Sequence, residues 1–389
     1  MKLLIGGSPC THWSIAQTKN RETEASGIGW ELFLNYRIAR DKYKPDFFLY
    51  ENNKSMSPTI RAQITAELGV EPVLINSALV SAQNRQRLYW VGKRNPDGTY
   101  SQVCVEQPED RGILLQDILE TGIVWQEKSY CVGNTVDRKA CVAVPVRVGA
   151  MPNKDGELGT SQSSRIYSTD GKSVSLKARP NGGGADGAST GLYAVPVGMA
   201  WRGRENGSAF EVRDDQKSNA VAATGHQSRL VIEAADGKQM PVYEVRGGRI
   251  TIKGKTYPTK LADGFYIIRK LTVRECMRLQ TVPEEYVFPV SATQAYKMLG
   301  NGWTVDVTTH IMSHFTGLTE ESVEVLSMYD GMSCGHIALD KLGADVTAYY
   351  ATEIDKYAIQ TTQHNYPDTV QLGDAFQVRN DDWRLGDEL

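Results

Sequence analysis

The chain has 389 residues, more than one core of typical size requires, so its length indicates two domains or one catalytic domain with a large insertion. Hydrophobic residues make up 41% and charged residues 23%, as is ordinary for a soluble globular protein. The formal net charge of −3 excludes a generally basic nucleic-acid coat. Any contact with phosphate therefore requires a local cluster of Arg and Lys.

Cysteine usage and hydropathy indicate the compartment. The six cysteines are scattered, and none lies in a CxxC pair, which argues against a zinc knuckle and against a disulfide scaffold. The apolar run before Gly6 is too short for a signal peptide, and no segment is long and apolar enough to span a membrane. We therefore expect a reduced, cytoplasmic protein with no membrane partner.

Residues 1–104 alternate short apolar runs with helical stretches. This pattern predicts strands at 3–5, 47–50, 73–75 and 88–91, and helices at 30–40 and 60–68. Alternation of strands with helices predicts a parallel sheet that is covered on both faces.

Residues 105–262 differ in composition, being rich in Gly, Ser, Asn and Asp with short β-like runs between turn dipeptides. A loose repeat of strand, Lys-containing turn, short strand, Gly-rich loop and strand begins near Arg165, Phe210 and Arg249. A plain array of β-hairpins explains this repeat as well as any functional reading. The middle of the chain is therefore predicted to be β-rich.

Residues 263–389 return to helices and strands. Thr272 and Glu275 form a capping-box pattern that predicts the start of a helix. Buried strands are predicted at 323–328 and 346–351, each followed by a polar segment.

Two of these strand ends have the pattern of a nucleotide site. The first strand runs into Asp330-Gly331, with Gly335 opening a helix, and Glu353 follows roughly 20 residues later, where a carboxylate meets ribose in Rossmann-type sites. Asp374 follows the third strand of the series. Because the complete Gly-x-Gly-x-x-Gly pattern is missing, a tight turn with surface acids explains these residues about equally well.

Three further segments present reactive groups at strand ends. Gly6-Gly7-Ser8-Pro9-Cys10 follows a strand and presents one thiol, which is either a nucleophile or a buried structural cysteine. Glu51 follows the next strand. Alternation along another strand is expected to place Gln83, Arg85 and Arg87 on one face, where an Arg pair suits a carboxylate or a phosphate.

Taken together, these segments resemble the motifs of the DNA cytosine-5 methyltransferase family. The resemblance covers both flanking zones and leaves out only the middle. The matching segments are Gly7-Ser8-Pro9-Cys10, Glu51-Asn52-Asn53, Gln83-x-Arg85-x-Arg87, residues 269–280, Tyr296 with Gly300-Asn301-Gly302, and Tyr329-x-Gly331 to Gly335 with Glu353 and Asp374.

The order of these motifs is cyclically shifted. In the family the cofactor motifs come first and the Pro-Cys loop follows, whereas here the Pro-Cys loop comes first and the cofactor motifs come last. A circular permutation joined at residues 317–322 explains this order, since chain termini tend to lie close together. Three residues depart from the family pattern: Thr11 replaces Gln after the cysteine, Ile354 replaces an aromatic residue, and Trp303 follows Gly302.

The resemblance implies an α/β fold: a Rossmann-like class I methyltransferase sheet, circularly permuted, with a β-rich target-recognition domain inserted. The implied domains are catalytic at 1–104, target-recognition at 105–262, and the remainder of the catalytic domain at 263–389. It implies S-adenosyl-L-methionine as the cofactor. The implied catalytic residues are Cys10, Glu51, Arg85 and Arg87, and the implied cofactor-binding residues are Tyr329, Asp330, Gly331, Gly335, Glu353, Ile354, Asp374 and Asn301.

The resemblance also implies the reaction. Cys10 adds to carbon 6 of cytosine, Glu51 protonates N3, Arg87 binds O2, and the target base is flipped out of double-stranded DNA. Residues 11–29, with Lys19, Asn20 and Arg21, are expected to form a mobile lid. The enzyme is expected to act as a monomer in a bacterial or phage-infected cell. Candidate DNA contacts in the middle are Arg138, Lys139, Arg165, Lys172, Lys177, Arg179, Arg202, Arg204 and Lys255.

Three alternatives stay open on the sequence alone. An RNA cytosine methyltransferase of the same superfamily is the nearest, although its members tend to have a smaller recognition insert. A catalytically inactive DNA-binding relative is disfavoured because Cys10, Glu51 and Arg87 are all present. A plain Rossmann oxidoreductase does not explain the Pro-Cys or Gln-x-Arg-x-Arg segments.

Overall fold

A computed structural model describes residues 1–14, 21–120, 144–177, 190–197, 199–204, 207–212, 231–233 and 239–385. The side chains of Cys10 and of the strand residues between 197 and 240 also lie outside the described part. The chain divides into two compact units. The first comprises Met1–Val80, Arg85–Asp110 and Gln280–Leu389, and the second comprises Ser81–Asn84 and Arg111–Leu279.

The helices and strands predicted for the two flanking zones are present. The opening stretch contains β1 (Lys2–Gly6), α1 (Gly27–Tyr43), β2 (Phe47–Asn53), α2 (Pro58–Leu68), β3 (Pro72–Asn76), β4 (Gln86–Arg94) and β5 (Tyr100–Gln102). The middle contains β6 (Arg147–Ala150), β7 (Arg165–Ser168), β8 (Leu192–Val197), β9 (Met199–Arg204), β10 (Gly207–Val212), β11 (Val231–Glu233), β12 (Gln239–Arg246), β13 (Arg249–Ile252), β14 (Lys255–Pro258), β15 (Gly264–Arg269) and α3 (Val273–Leu279). The closing stretch contains α4 (Ala292–Asn301), α5 (Val305–Met312), β16 (Ser322–Met328), α6 (Cys334–Leu342), β17 (Asp345–Thr352), α7 (Lys356–Asn365) and β18 (Val370–Gly373).

One eight-stranded sheet forms the first unit, in the order β18-β17-β16-β1-β2-β4-β3, with β5 paired to β4. The strands from β18 to β2 are parallel, but β4 is antiparallel to both of its neighbours. The prediction of a parallel sheet is therefore wrong at this edge. A parallel crossover takes about a dozen residues or more, and residues 77–85 between β3 and β4 contain no α-helix, so the chain returns antiparallel.

Helices cover both faces of this sheet, as predicted. Side chains of α1 and α2, such as Phe33 and Ile60, join Leu4 of β1 in one buried cluster. Strand alternation turns Ile5 to the opposite face. There α6 approaches β1 so closely that a Cβ added to Gly335 would lie 2.1 Å from Cδ1 of Ile5.

The last part of the chain completes the sheet beside its first strand. β16 pairs in parallel with β1, in a register that runs from Lys2 opposite Glu324 to Gly6 opposite Met328. β2 flanks β1 on the other side, with Gly6 opposite Tyr50. These three strands therefore end together at one edge of the sheet.

The second unit is β-rich, as predicted. Its eight-stranded sheet has the order β14-β13-β12-β15-β8-β7-β6, with β11 paired to β12, and β9 and β10 form a separate hairpin. Val148, Ile166, Val245 and Ile250 belong to the buried cluster of this unit. β7 and β8 are parallel, so the unit is more than the plain array of hairpins that the repeat suggested.

The second unit extends to Leu279 because α3 is tied to it. The predicted capping box is present: Thr272 N–H donates to Glu275 Oε2 at 2.9 Å, and Glu275 N–H donates to Thr272 Oγ1 at 3.2 Å. Glu275 is fully buried and also accepts from both terminal nitrogens of Arg269, at 2.7 and 2.6 Å. The main-chain N–H of Glu120 donates to Glu275 Oε1 at 2.9 Å. The insertion predicted at 105–262 overlaps this unit, which comprises Ser81–Asn84 and Arg111–Leu279.

Candidate active site

The candidate site lies at the carboxyl edge of the parallel strands in the first unit. β1 leads into residues 7–10, β2 ends with Glu51-Asn52-Asn53, β16 leads into residues 329–331, and β17 leads into Glu353. The registers place the ends of these strands side by side. Open α/β sheets bind ligands beyond the carboxyl ends of their strands, so this edge is where a site is expected.

A buried polar network fixes the turn that precedes Cys10. The hydroxyls of Ser8 and Tyr50 are 2.6 Å apart. Asn52 Nδ2 donates to the Tyr50 hydroxyl at 3.1 Å and to the Ser8 carbonyl at 3.2 Å. Cys10 begins a short 3-10 helix, Cys10–His12, and its side chain lies outside the described part. The network therefore anchors the predicted nucleophile's turn to β2.

The carboxyl group of Glu51 is held at both oxygens. Oε1 lies 2.9 Å from Nε of Arg87, and Oε2 accepts a hydrogen bond from the indole N–H of Trp303 at 3.1 Å. A Cβ added to Gly7 would lie 2.9 Å from Glu51 Oε2, so the main chain of the Pro-Cys turn passes directly against the carboxyl group. The structure thus brings Glu51 and Arg87 together, with Trp303 as an additional partner.

Burial raises the pKa of the Glu51 carboxyl above its ordinary value of 4.5. The charges of Arg87 and Arg85 and the hydrogen bond from Trp303 act in the opposite direction, since each favours the carboxylate. Because burial is the larger effect, the carboxyl group retains its proton to higher pH than an exposed glutamate does.

Arg85 has a different partner from Arg87. Its Nη2 donates to the carbonyls of Gly300 and Gly302, at 3.1 and 2.9 Å, and its side chain is buried. β4 begins only at Gln86, so the prediction that Gln83, Arg85 and Arg87 share one face of a strand is wrong. Gln83 belongs to the second unit, where its Nε2 donates to the Leu279 carbonyl at 3.2 Å.

The turn after β16 is shaped by positive φ angles and by its own side chains. Tyr329 (φ 62°) donates its hydroxyl proton to the Leu32 carbonyl at 2.7 Å. Asp330 accepts from the hydroxyls of Tyr349, at 2.8 Å, and of Ser333. Gly331 (φ 61°) has no atom within 4 Å of the position of a Cβ, so open space adjoins its backbone.

Glu353 joins this turn to the end of β17. The main-chain N–H of Gly331 donates to its Oε2 at 2.9 Å, and those of Ile354 and Asp355 donate to its Oε1 at 2.7 and 2.8 Å. Burial raises the pKa of Glu353 above 4.5, and the three main-chain N–H groups oppose this rise. The side chain of Ile354 is 74% exposed, more than any other large hydrophobic side chain among the described residues.

These features fit a nucleoside-bearing cofactor. An exposed apolar side chain suits a planar ring, a carboxylate suits ribose hydroxyls, and the open backbone at Gly331 permits close approach. Asp374 is exposed and caps the next turn by accepting from Phe376 N–H at 3.0 Å. Asn301 is exposed at the end of α4. Gly335, by contrast, is required by the packing of α6 against Ile5.

The predicted lid is described only at its base. Glu22 N–H donates to the His12 carbonyl at 2.9 Å, and its carboxylate accepts from Trp13 Nε1 at 3.1 Å. Arg21 Nη2 donates to the Ser55 carbonyl at 2.6 Å. Lys19 and Asn20 lie outside the described residues.

Among the basic residues that were predicted to contact DNA, Lys172 is buried, so the prediction is wrong for this residue. It is 1% exposed, and its ammonium donates to the carbonyls of Ser81 and Ile113 at 3.1 and 2.5 Å, so it braces the second unit internally. Lys177 is half-buried and donates to Gln162 Oε1 at 2.6 Å. Arg165 is half-buried, and Lys255 is exposed. The side chains of Arg138, Lys139, Arg179, Arg202 and Arg204 lie outside the described part.

Sequence reasoning missed two features of the site. Trp303 was noted only as a departure from a motif, and its partner Glu51 lies 252 residues away in sequence. The Ser8–Tyr50 contact was missed as well, although both residues directly adjoin a motif. Within the described ranges, no helix is long and apolar enough to cross a membrane, and no His, Cys, Asp and Glu side chains cluster as metal ligands.

Comparisons with known proteins find one matching family. The family model of C-5 cytosine-specific DNA methylases matches residues 1–316. The chain is 24% identical over 317 residues to the type II methyltransferase M.HpaII of Haemophilus parainfluenzae, covering 78% of this chain and 68% of that protein. It is 25% identical over 364 residues to the orphan methyltransferase M.SPRI of Bacillus phage SPR, covering 78% and 80%.

Among solved structures, the Dnmt2 methyltransferase of S. pombe aligns with 80% of this chain and 76% of its own, at 14% identity and a TM-score of 0.36. The assignment of a family rests on the family model and not on this alignment.

Proposed function

The chain belongs to the C-5 cytosine-specific DNA methylase family, and we propose that it methylates one cytosine within a defined sequence of double-stranded DNA. The methyl group comes from S-adenosylmethionine, and the base is flipped out and bound covalently by Cys10. One observation carries the proposal: the buried carboxyl group of Glu51 lies between Arg87 and Trp303, directly against the main chain of the Pro-Cys turn.

The chemical difficulty is that carbon 5 of cytosine is a weak nucleophile. Addition of the Cys10 thiolate to carbon 6 forms an S–C6 bond, shifts the π pair of the C5–C6 double bond to the C4–C5 bond, and moves the π pair of the C4–N3 double bond onto N3. A proton from Glu51 on N3 neutralises the charge that develops there. The ring is then an enamine that is nucleophilic at carbon 5. This covalent step divides one difficult reaction into easier ones.

Glu51 is suited to donate that proton. Burial raises its pKa, so the carboxyl group keeps a proton closer to neutral pH than an exposed glutamate would. Arg87, 2.9 Å from Oε1, orients the carboxyl group and offers further N–H groups to the O2 of the base. Arg85 supports this arrangement indirectly, because it binds the carbonyls of Gly300 and Gly302.

The residues proposed to hold the cofactor are Tyr329, Asp330, Gly331, Glu353, Ile354, Asp374 and Asn301, with Gly335 setting the approach of α6. When bound, S-adenosylmethionine supplies an electrophilic methyl group on its sulfonium. Glu353 would hold the ribose hydroxyls, and the exposed side chain of Ile354 would pack against the adenine.

The cycle closes with two bond changes on the base. After carbon 5 has gained the methyl group, a base removes its proton, and that electron pair restores the C5–C6 double bond and expels the Cys10 thiolate. The proton on N3 returns to Glu51. The enzyme is thereby regenerated, and the product is 5-methylcytosine.

None of these groups can reach a base inside a stacked duplex, so base flipping belongs to the proposal. Residues 11–29 act as the lid over the flipped base. Residues 105–262 serve as the target-recognition domain, and 1–104 together with 263–389 form the catalytic domain. A large β-rich insertion with exposed basic residues such as Lys255 supports the assignment of DNA recognition to one domain and catalysis to the other.

Circular permutation is part of the proposal. The family match ends at residue 316, next to the expected joint at 317–322, while the cofactor residues from Tyr329 onward lie beyond it. β16 nevertheless pairs in parallel with β1, so these residues reach the same sheet edge as the Pro-Cys turn. We also propose that the protein acts as a monomer in the cytoplasm of a bacterial or phage-infected cell; the relatives from a bacterium and a phage support the choice of host cell.

The test combines activity with trapping of the adduct. The protein is incubated with unmethylated duplex DNA and labelled S-adenosylmethionine, and modified cytosines are mapped by sequencing. A duplex with 5-fluorocytosine at the mapped position should trap a covalent complex, because no proton can leave carbon 5. Cys10→Ala should abolish both results, whereas Cys104→Ala, at an exposed free cysteine, should abolish neither. Transfer to RNA but not to DNA would overturn the proposal.

A further inference from the structure

We propose that Trp303 is a positioning residue that orients the Glu51 carboxyl group for proton donation to the target base. The inference rests on the role proposed above for Glu51. Trp303 is half-buried, and its indole N–H donates to Glu51 Oε2 at 3.1 Å.

The Glu51 carboxyl group can rotate unless both of its oxygens are held. The terminal torsion of a glutamate is broad, so a carboxyl group held at one oxygen can still turn. Arg87 holds Oε1 from β4, and Trp303 holds Oε2 from the segment between α4 and α5. Two donors on two different oxygens remove that freedom and fix the direction in which the acidic proton points.

Hydrogen bonds on both sides of Trp303 hold its segment of the chain in place. Arg85 Nη2 binds the Gly302 carbonyl at 2.9 Å, and Gln280 Nε2 binds it at 3.1 Å. On the other side, Thr304 Oγ1 donates to Gln280 Oε1 at 2.8 Å and lies 2.8 Å from the Ser77 hydroxyl. Buried or partly buried hydrogen bonds therefore hold both neighbours of Trp303, which limits the movement of its indole.

The indole N–H of Trp303 is a neutral hydrogen-bond donor. An indole N–H donates one hydrogen bond and accepts none, so it cannot take the proton that Glu51 must deliver. It occupies one lone pair of Oε2 and leaves the rest of the carboxyl group to the base. Arg87 adds a positive charge that favours the carboxylate, whereas Trp303 gives direction with a neutral group.

Two substitutions distinguish the contribution of the indole N–H of Trp303 from that of its aromatic ring. Trp303→Phe keeps an aromatic ring but removes the N–H, and Trp303→Gln keeps a neutral N–H donor but removes the ring. Trp90→Phe is the matched control, because Trp90 Nε1 donates to Thr65 Oγ1 at 3.0 Å in the same unit. For each protein, kcat, the KM for duplex DNA and the pH profile of methylation are measured, together with thermal unfolding.

We expect Trp303→Phe to lower kcat about tenfold while the KM for DNA stays within about twofold, because orientation matters at proton transfer and not in binding. Loss of a donor that favours the carboxylate raises the pKa of Glu51, so the break that Glu51 produces in the pH profile moves to higher pH. Trp303→Gln should keep that break closer to its wild-type position. Trp90→Phe should lower the unfolding temperature without moving the break.

Opposite results would overturn the inference. A Phe variant with wild-type kcat and an unmoved break, beside an impaired Gln variant, would show that the ring packs and the donor does not matter. If the Phe variant fails to fold, Trp303→Leu and Trp303→Gln, which differ in the donor but both lack the ring, make the same comparison. Full activity of Glu51→Gln would instead remove the role proposed for Glu51, so the two failures are distinguishable.

Discussion

Nε of Arg87 lies 2.9 Å from Oε1 of Glu51, across a diagonal of the antiparallel β2–β4 pair. Tyr89 is directly opposite Glu51, and Arg87 is directly opposite Asn53, so the ion pair spans two residues of register on one face. Both side chains are largely buried. Removal from water disfavours the carboxylate, and the nearby guanidinium favours it. Because burial has the larger effect, the pair leaves Glu51 able to hold a proton.

Replacement of this carboxyl group tests its role directly. Glu51→Gln cannot deliver a proton to N3, so single-turnover methylation should fall by about 10²- to 10⁴-fold. The control Glu67→Gln removes a carboxylate that pairs with Arg37 in the same unit, at 3.0 Å, and should keep its activity. A Gln variant as fast as the wild type would exclude Glu51 as the acid.

The same variant gives a pH dependence of stability. The folded-state pKa of Glu51 is raised above 4.5, so its contribution to stability is fully present below 4.5 and is lost as the pH rises through the folded value. Relative to Glu51→Gln, the wild type should therefore lose stability over that rise. Unfolding temperatures of both proteins across the pH series check the sign, and a difference in the reverse direction would contradict the raised pKa.

The Ser8–Tyr50 contact should position the Pro-Cys turn. Tyr50→Phe removes the hydroxyl that contacts Ser8 at 2.6 Å and Asn52 at 3.1 Å, and leaves those buried groups with fewer partners. We expect a loss of about 1–3 kcal/mol in the free energy of unfolding and a several-fold lower kcat. Tyr36→Phe is the control, because its buried hydroxyl binds the Leu49 carbonyl instead, at 2.9 Å. It should cost stability with little effect on kcat per folded molecule.

The sequence was sufficient to predict most of the first unit. β1 and β16 are short apolar runs that lead directly into glycine-containing turns, and such runs are reliable where both faces of a strand are buried. In the second unit, the capping box at Thr272 and Glu275 was predictable because it is a local pattern. The position of Glu51 near the carboxyl end of β2 was predictable because it directly follows the apolar run of that strand.

Two of the failures share a cause, which is that the decisive partner is distant in sequence. Alternation placed Arg85 in a strand, but its carbonyl partners at Gly300 and Gly302 lie more than two hundred residues away. Lys172 was interpreted as an exposed cation, although its side chain is buried and its ammonium donates to the carbonyls of Ser81 and Ile113. Sequence periodicity does not reveal contacts between residues that are far apart in the chain, because these contacts are set by the packing of the folded protein.

Glu353 offers a test of the cofactor site that does not depend on activity. Its carboxylate is the form suited to ribose hydroxyls, and burial raises its pKa. Affinity for S-adenosylmethionine, measured by calorimetry, should therefore weaken as the pH falls through that raised value. Glu353→Gln should bind about 10- to 100-fold more weakly and lose this pH dependence. Asp345→Asn, at the opposite end of β17, is the control and should bind like the wild type.

Gly331, in the β16–α6 turn, and Gly335, in the first turn of α6, should respond to alanine in different ways. A Cβ at Gly335 would lie 2.1 Å from Cδ1 of Ile5, so Gly335→Ala should destabilise the fold by about 1–3 kcal/mol through overpacking. Adding Ile5→Val, which removes that atom, should restore part of the loss in urea unfolding. At Gly331 no atom lies within 4 Å, but φ is 61°, so Gly331→Ala should cost about 1 kcal/mol and place a methyl group in the proposed cofactor space. Calorimetry should then show weaker cofactor binding for Gly331→Ala than for folded Gly335→Ala, and the reverse order would assign the cofactor contact to Gly335.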